Sequence, residues 1–196
     1  MEVITNVLYW LSTGLLVPVV VFLLFFFIRS LFMIGSLYGR YVTRSKVNVA
    51  VRKQLDKESV QQFLDSPGDP KSKGEFMEYI RKMSGNRDSI PALNRLLGDY
   101  EVYADKELGK SKLIAKIGPI LGLMGTLIPM GPALVGLATG DVASMASNMQ
   151  VAFATTVVGL IIGAVGFITL QVKQRWFADD MNVLEYIVES LEENKC

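Results

Sequence analysis

From Ile117 to Val172 the chain carries one charged residue, Asp141, and Lys116 and Lys173 close the stretch at either end. These fifty-six residues are too many for one membrane crossing and suit two crossings joined by a short turn. Both halves are rich in Gly, Ala, Ser and Thr. That composition belongs to helices that pack closely on other helices, whereas a simple lipid anchor would be Leu and Ile throughout. The reading is a transmembrane hairpin built for assembly.

A third apolar run, Val7–Ile28, has no charge and contains Phe25, Phe26 and Phe27. It sits where a signal peptide would, but Met1–Asn6 has Glu2 and no Lys or Arg, and no small-residue cleavage pattern follows. It therefore reads as a retained span, with Tyr9 and Trp10 as interfacial anchors and Pro18 as a possible kink point. With 51% hydrophobic residues among 196 and a mean hydropathy of +0.34, the whole chain is expected to be a membrane protein.

Orientation follows from the basic residues beside the spans. Arg29, Arg40, Arg44, Lys46, Lys110, Lys112, Lys116, Lys173 and Arg175 all fall on one side, and the other side has only Glu2 and Asp141. The positive-inside rule then puts the N-terminus outside and the C-terminus in the cytoplasm.

The expected fold is an all-α membrane protein with three transmembrane helices and long helical cytoplasmic extensions. Residues 1–40 form the outer segment and first span, and 41–112 a cytoplasmic helical region. Residues 113–172 form the hairpin, with its outer turn at about 139–147, and 173–196 a cytoplasmic C-terminal helix. Within 41–112, Val47, Val51, Leu55, Val60, Phe63 and Leu64 have the spacing of one amphipathic helix. Asp65–Gly74 is a break, a short helix covers Glu75–Met83, and Asp88 or Ser89 caps a helix that runs from Pro91 into the second span. In the tail, Trp176, Phe177, Met181, Leu184, Ile187, Val188 and Leu191 form an apolar stripe. Asp179, Asp180, Glu185, Glu189 and Glu192 read as a solvated face.

Several chemistries are poorly supplied. A net charge of +1 gives no basic surplus for nucleic acid, and the chain has no His. Its one Cys, Cys196, has no partner for a disulfide, so no conventional zinc or haem site and no cofactor are expected. A Ser–His–Asp or Cys–His set is impossible, and the chain is not expected to be an enzyme. Gly118–Thr126 is glycine-rich but lacks the Lys of a phosphate loop.

The hairpin's small residues are regularly spaced. Gly118, Gly122, Gly125, Pro129, Ala133 and Gly136 line one face of the second span. Ala152, Thr156, Gly159, Gly163 and Gly166 line one face of the third. Pro119 stands at the entry of the second. Helix packing accounts for all of them, and two such faces are more than one three-helix chain is expected to bury, which points to oligomerisation. Thr126, Thr155 and Thr156 admit two roles. A buried Thr commonly bonds a carbonyl of its own helix. Alternatively its hydroxyl can hold water in an ion path, though it cannot titrate near neutral pH. A proton relay needs an acid in the membrane, and here that acid would have to come from another subunit.

Gly118-Pro119-Ile120-Leu121-Gly122-Leu123-Met124-Gly125-Thr126 resembles the A-P-x-L-G-L-x-G-T motif of the MotA/TolQ/ExbB proton-channel subunits. Ala154-Thr155-Thr156-Val157-Val158-Gly159-Leu160 is similar to that family's A-T-A-x-G-L. The three-span, N-out layout with a large cytoplasmic region is similar to the TolQ/ExbB branch. The resemblance implies a homopentamer around a single-span ExbD/TolR/MotB-like partner whose membrane Asp carries the proton. It also implies that Thr126 and Thr156 face the pore, within an inner-membrane complex that turns proton-motive force into mechanical work, as in protein transport. The chain departs from the pattern at Val151, where the branch has Glu, at Pro129, where it has Gly, and at Val165, where it has Pro. A reading of another class is a non-conducting membrane scaffold assembled through the small-residue faces.

Overall fold

In a computed structural model the chain is all-α. The structure describes residues 2–55, 60–65 and 74–193. Cys196 and the prolines of the Asp65–Gly74 break lie outside the described residues, as does the side chain of Val47. Among the described residues five helices follow in order: α1 Glu2–Leu55, α2 Val60–Asp65, α3 Glu75–Gly85, α4 Ile90–Thr139 and α5 Val142–Glu193. Three of them are long and apolar enough to cross a membrane. The chain is a multi-pass membrane protein.

α1 is longer than the sequence pattern suggested. Its apolar run continues past Arg29 through Leu31, Phe32, Met33, Ile34, Leu37 and Tyr38, so the candidate span is Gly14–Tyr41. Arg29 is exposed within it, where a long side chain can lie along the helix and reach the interface. Of the amphipathic stretch read across 47–64, Val51 and Leu55 are in α1 and Val60, Phe63 and Leu64 in α2, and residues 56–59 lie outside the described residues. Val51, Val60, Phe63 and Leu64 are buried in one cluster, with Leu55 packed against it.

The two membrane-sized helices α4 and α5 are joined far more tightly than the expected turn at 139–147. The break falls at Gly140 and Asp141, and α5 starts at Val142. Gly140 has φ 77, a left-handed conformation that costs glycine nothing. The Asp141 N–H then donates back to Gly136 O at 2.8 Å, satisfying a terminal carbonyl of α4. Asp141 Oδ1 accepts from the Ser144 N–H at 3.0 Å and so caps α5. One glycine and one aspartate therefore do the work of a loop. Three prolines, Pro119, Pro129 and Pro132, lie inside α4 without ending it.

The chain divides into two compact units. The first comprises residues 1–35 and 110–170 and holds the apolar segments. Leu23 of α1, Ile114 of α4 and Ile162 of α5 are buried at its centre, with Phe26, Phe27, Met33, Leu121 and Val158 around them. Much of its apolar surface stays uncovered: only 17% of the most apolar window of the first span is buried. Water would not tolerate that surface, but lipid or a second protein does.

The second unit comprises residues 36–109 and 171–196. Its core gathers Phe76, Met77, Ile80 and Met83 of α3, Leu93 and Tyr100 of α4, and Val183, Leu184, Ile187, Val188 and Leu191 of α5. The α3 residues recur at helical spacing, which gives that short helix one buried face. Its termini carry small signals: Gly74 is extended at the start, and the Asn86 N–H donates to Met83 O at 3.0 Å at the end. The next helix begins after Ser89, whose carbonyl accepts from the Ala92 and Leu93 N–H groups.

Candidate functional site

Between Lys116 and Lys173 the site is made of backbone, glycine and hydroxyl. A Cβ built on Gly159 would lie 2.6 Å from Gly122 Cα and 2.7 Å from Gly118 O. One on Gly118 would lie 2.7 Å from Gly163 N, and one on Gly166 would collide with Ala115 N. α4 and α5 thus run antiparallel with their backbones touching, which only small residues permit. The two small-residue faces meet each other inside one chain. The expectation that they remain for contacts between chains is overturned: Gly118, Gly122, Gly125, Gly159, Gly163 and Ala152 are buried in the monomer. Pro119 packs its ring on Gly163, whose added Cβ would lie 2.6 Å from the proline Cγ.

The three candidate hydroxyls separate into two groups. Thr155 is only 6% exposed and sits on Gly125, whose added Cβ would meet the threonine Cβ and Oγ1 at 2.6 Å. Its Oγ1 donates to Val151 O and Ala152 O at 3.0 and 2.9 Å. Thr155 is therefore packed between α5 and the backbone of α4. Thr126 and Thr156 are half-buried. Thr126 Oγ1 donates to Leu123 O at 2.7 Å, and Thr156 Oγ1 to Ala152 O at 3.0 Å.

Rotation around the helices brings those two together. Thr126 follows Gly125 and Thr156 follows Thr155, so each stands about 100° beyond the contact line on its own helix. In antiparallel helices the same step turns both side chains to one flank. Leu121 and Val158 precede the contacting Gly122 and Gly159, and they pack in the cluster that receives α1. Thr126 and Thr156 therefore share the flank away from α1. Their neighbours Gly125 and Thr155 touch, so the two threonines also share one depth. Each donor is satisfied within its helix, which leaves the oxygens able to accept from a water or a cation.

No titratable group sits on this flank: Asp141, the one acid between the flanking lysines, is exposed in the turn and caps α5. The arrangement can hold water but cannot itself take up and release a proton near neutral pH.

A second polar arrangement, in the other unit, was misread from sequence. Asp180 was placed on a solvated face, but it is fully buried and pairs with Arg44 of α1. Arg44 Nη2 also donates to Trp176 O at 2.8 Å, and its guanidinium lies 5.3 Å from the Trp176 ring centroid. Tyr100 of α4 donates its hydroxyl to Asp180 Oδ2. Burial, and then the Asp180 charge, push the Tyr100 phenol far above its ordinary range, so it stays a proton donor. The missed signal was positional. Asp180 lies three residues after Phe177 and four before Leu184, inside the apolar stripe of α5.

A sequence model of the MotA/TolQ/ExbB proton channel family matches residues 77–185, more than half of the chain. The match takes in α4 and the greater part of α5. Neither the curated proteins nor the solved structures gave a match.

Proposed function

Because the chain belongs to the MotA/TolQ/ExbB proton channel family, we propose that it is the ion-path subunit of an inner-membrane motor complex, conducting protons with a single-span partner that carries a membrane Asp. The family implies a proton-channel function in motor or transport complexes. The observation that carries the finer reading is the placement of Thr126 and Thr156 on one flank and at one depth, facing away from α1. Several copies arranged with that flank inward, as a homopentamer, would present a ring of acceptor oxygens to a central helix.

The division of labour follows from the chemistry. Thr126 and Thr156 hold water along the path, and the partner's carboxylate supplies the titrating group that this hairpin lacks. Thr155, Gly118, Pro119, Gly122, Gly125, Ala152, Gly159 and Gly163 set the separation of α4 and α5. The position filled by Val151 adds no charge, so the partner's acid is the one carrier. A non-conducting scaffold assembled through the small faces fits less well, since those faces are already used within the hairpin.

Thr156→Val tests this reading, because it keeps the shape and removes the oxygen. The Thr156 hydroxyl bonds only its own helix, and even an interhelical hydrogen bond in a membrane contributes only about 0.6 kcal/mol, so assembly should survive. Partner-dependent proton flux into liposomes should fall at least tenfold, and Thr156→Ser should keep most of it. Wild-type flux in a normally assembled Thr156→Val complex would assign the threonine to packing and end the ion-path reading.

A further inference from the structure

The side chains beside Thr126 and Thr156 follow the rule that places the threonines. Thr126 and Thr156 each follow one member of the touching pair Gly125 and Thr155. Leu123 and Leu160 stand in the same way beside the touching pair Gly122 and Gly159. Two turns from that pair, toward the Asp141 turn, Pro129 and Ala152 are buried, and Met130 and Phe153 follow them. Leu123, Met130, Phe153 and Leu160 are all exposed in the chain.

Steps of three and four residues thus stack three layers on one flank of the hairpin. The Leu123–Leu160 pair lies about one turn, ~5 Å, from the threonines on the side of Lys116 and Lys173. The Met130–Phe153 pair lies as far away on the side of the Asp141 turn. One polar layer is held between two apolar ones. In a ring with this flank inward, the apolar side chains close on one another and on the partner, above and below the hydroxyls.

That order of layers decides what can pass. A sodium ion keeps its charge wherever it stands, and moving that charge from water into an apolar layer is costly. An apolar constriction also empties of water, so no file of waters joins the polar layer to either side. A proton taken up by a carboxylate is different. An O–H bond forms, the charge disappears, and a neutral acid faces the apolar layer. The proton returns to water on the far side as that bond breaks. Midway, the threonine oxygens accept a hydrogen bond from the acid, because their own hydrogens are donated to Leu123 O and Ala152 O.

We propose that Leu123 and Leu160 on one side of the threonines, and Met130 and Phe153 on the other, are the selectivity barrier of the path. They exclude sodium and other metal cations and pass a proton only as the neutral acid of the partner. The inference rests on the ion-path reading and adds to it the determinant of ion identity.

The test measures proton flux and radioactive sodium uptake on the same liposomes, which hold the full chain with its single-span partner. The wild-type complex should conduct protons equally well in sodium and in choline, with sodium uptake no higher than in empty liposomes. Leu123→Thr, Met130→Thr, Phe153→Thr and Leu160→Thr together extend the hydroxyl layer both ways. This variant should take up sodium at least tenfold faster than wild type, even when the partner's membrane Asp is replaced by Asn. If it does not assemble, the pairs Leu123→Thr with Leu160→Thr and Met130→Thr with Phe153→Thr should each raise sodium uptake at least threefold. Ile120→Thr with Ile161→Thr makes the same change at exposed positions turned away from the flank and should admit no sodium. Proton flux in the wild type with sodium-tight assembled variants would overturn the barrier and leave the ion-path reading standing. Sodium uptake by the wild type, or an equal leak in the Ile120→Thr and Ile161→Thr control, would also overturn the barrier alone. A wild-type complex that passes neither ion would end both.

Discussion

At the scale of single residues, the structure gives different weight to polar groups that look alike in sequence. Thr126, Thr155 and Thr156 are all hydroxyls bonded to their own helices, yet only Thr155 is sealed against the opposing backbone. Thr126→Val should therefore mimic Thr156→Val in a flux assay and leave assembly intact. Thr155→Val keeps the packed shape and should change conduction little. Ser111 is the opposite case: it is fully buried, and its Oγ has no partner among the described residues. A buried unsatisfied hydroxyl costs about 1–3 kcal/mol, and Ala is also the better helix former. Ser111→Ala should raise the melting temperature followed by circular dichroism in detergent. A drop would mean that the hydroxyl has a bonding partner, such as a bound water.

At the scale of elements, the hairpin depends on glycines that have no room for a side chain. Gly159 faces the backbone of Gly122 and Gly118, so Gly159→Leu must force α4 and α5 apart. The expected result is loss of the folded hairpin, seen as aggregation on size exclusion, with no well-behaved monomer peak. A soluble, fully helical monomer would show that the close approach is dispensable. The sequence made this element legible because Gly, Ala and Thr recur at three- and four-residue steps over both spans, and periodicity survives without tertiary knowledge. It did not reveal that the two small faces meet each other, since spacing identifies a face but not its partner. The turn was read too long for a related reason: Gly140 and Asp141 reverse the chain through a positive φ and a cap, which composition alone cannot count. The buried Asp180 was hidden because an acid within an apolar stripe looks like the edge of a polar face until Arg44, 136 residues away in sequence, is placed beside it.

At the scale of the whole molecule, what remains uncovered is large and apolar: Leu123, Leu127 and Leu134 on α4, and Phe153, Val157 and Leu160 on α5 are each more than half exposed. The small faces are used up inside the chain, so the proposed ring of copies would have to associate through these larger side chains and the threonine flank beside them. The one-sided basic residues give a matching expectation for orientation. A cysteine at Ser144 should react with an impermeant thiol reagent added outside intact cells, and one at the exposed Asp105 should not. The reverse pattern would invert the topology. Assembly itself is read from mass. In mild detergent with retained lipid, native mass spectrometry should give five protomers, joined by the single-span partner when the two are co-expressed. Introducing a charge on the threonine flank, as in Leu160→Lys, should dissociate that complex while each hairpin stays helical, because the glycine contacts lie elsewhere on α5. A monomer as the only wild-type species, with or without the partner, would remove the ring on which the ion path depends, whatever the threonines do in isolation.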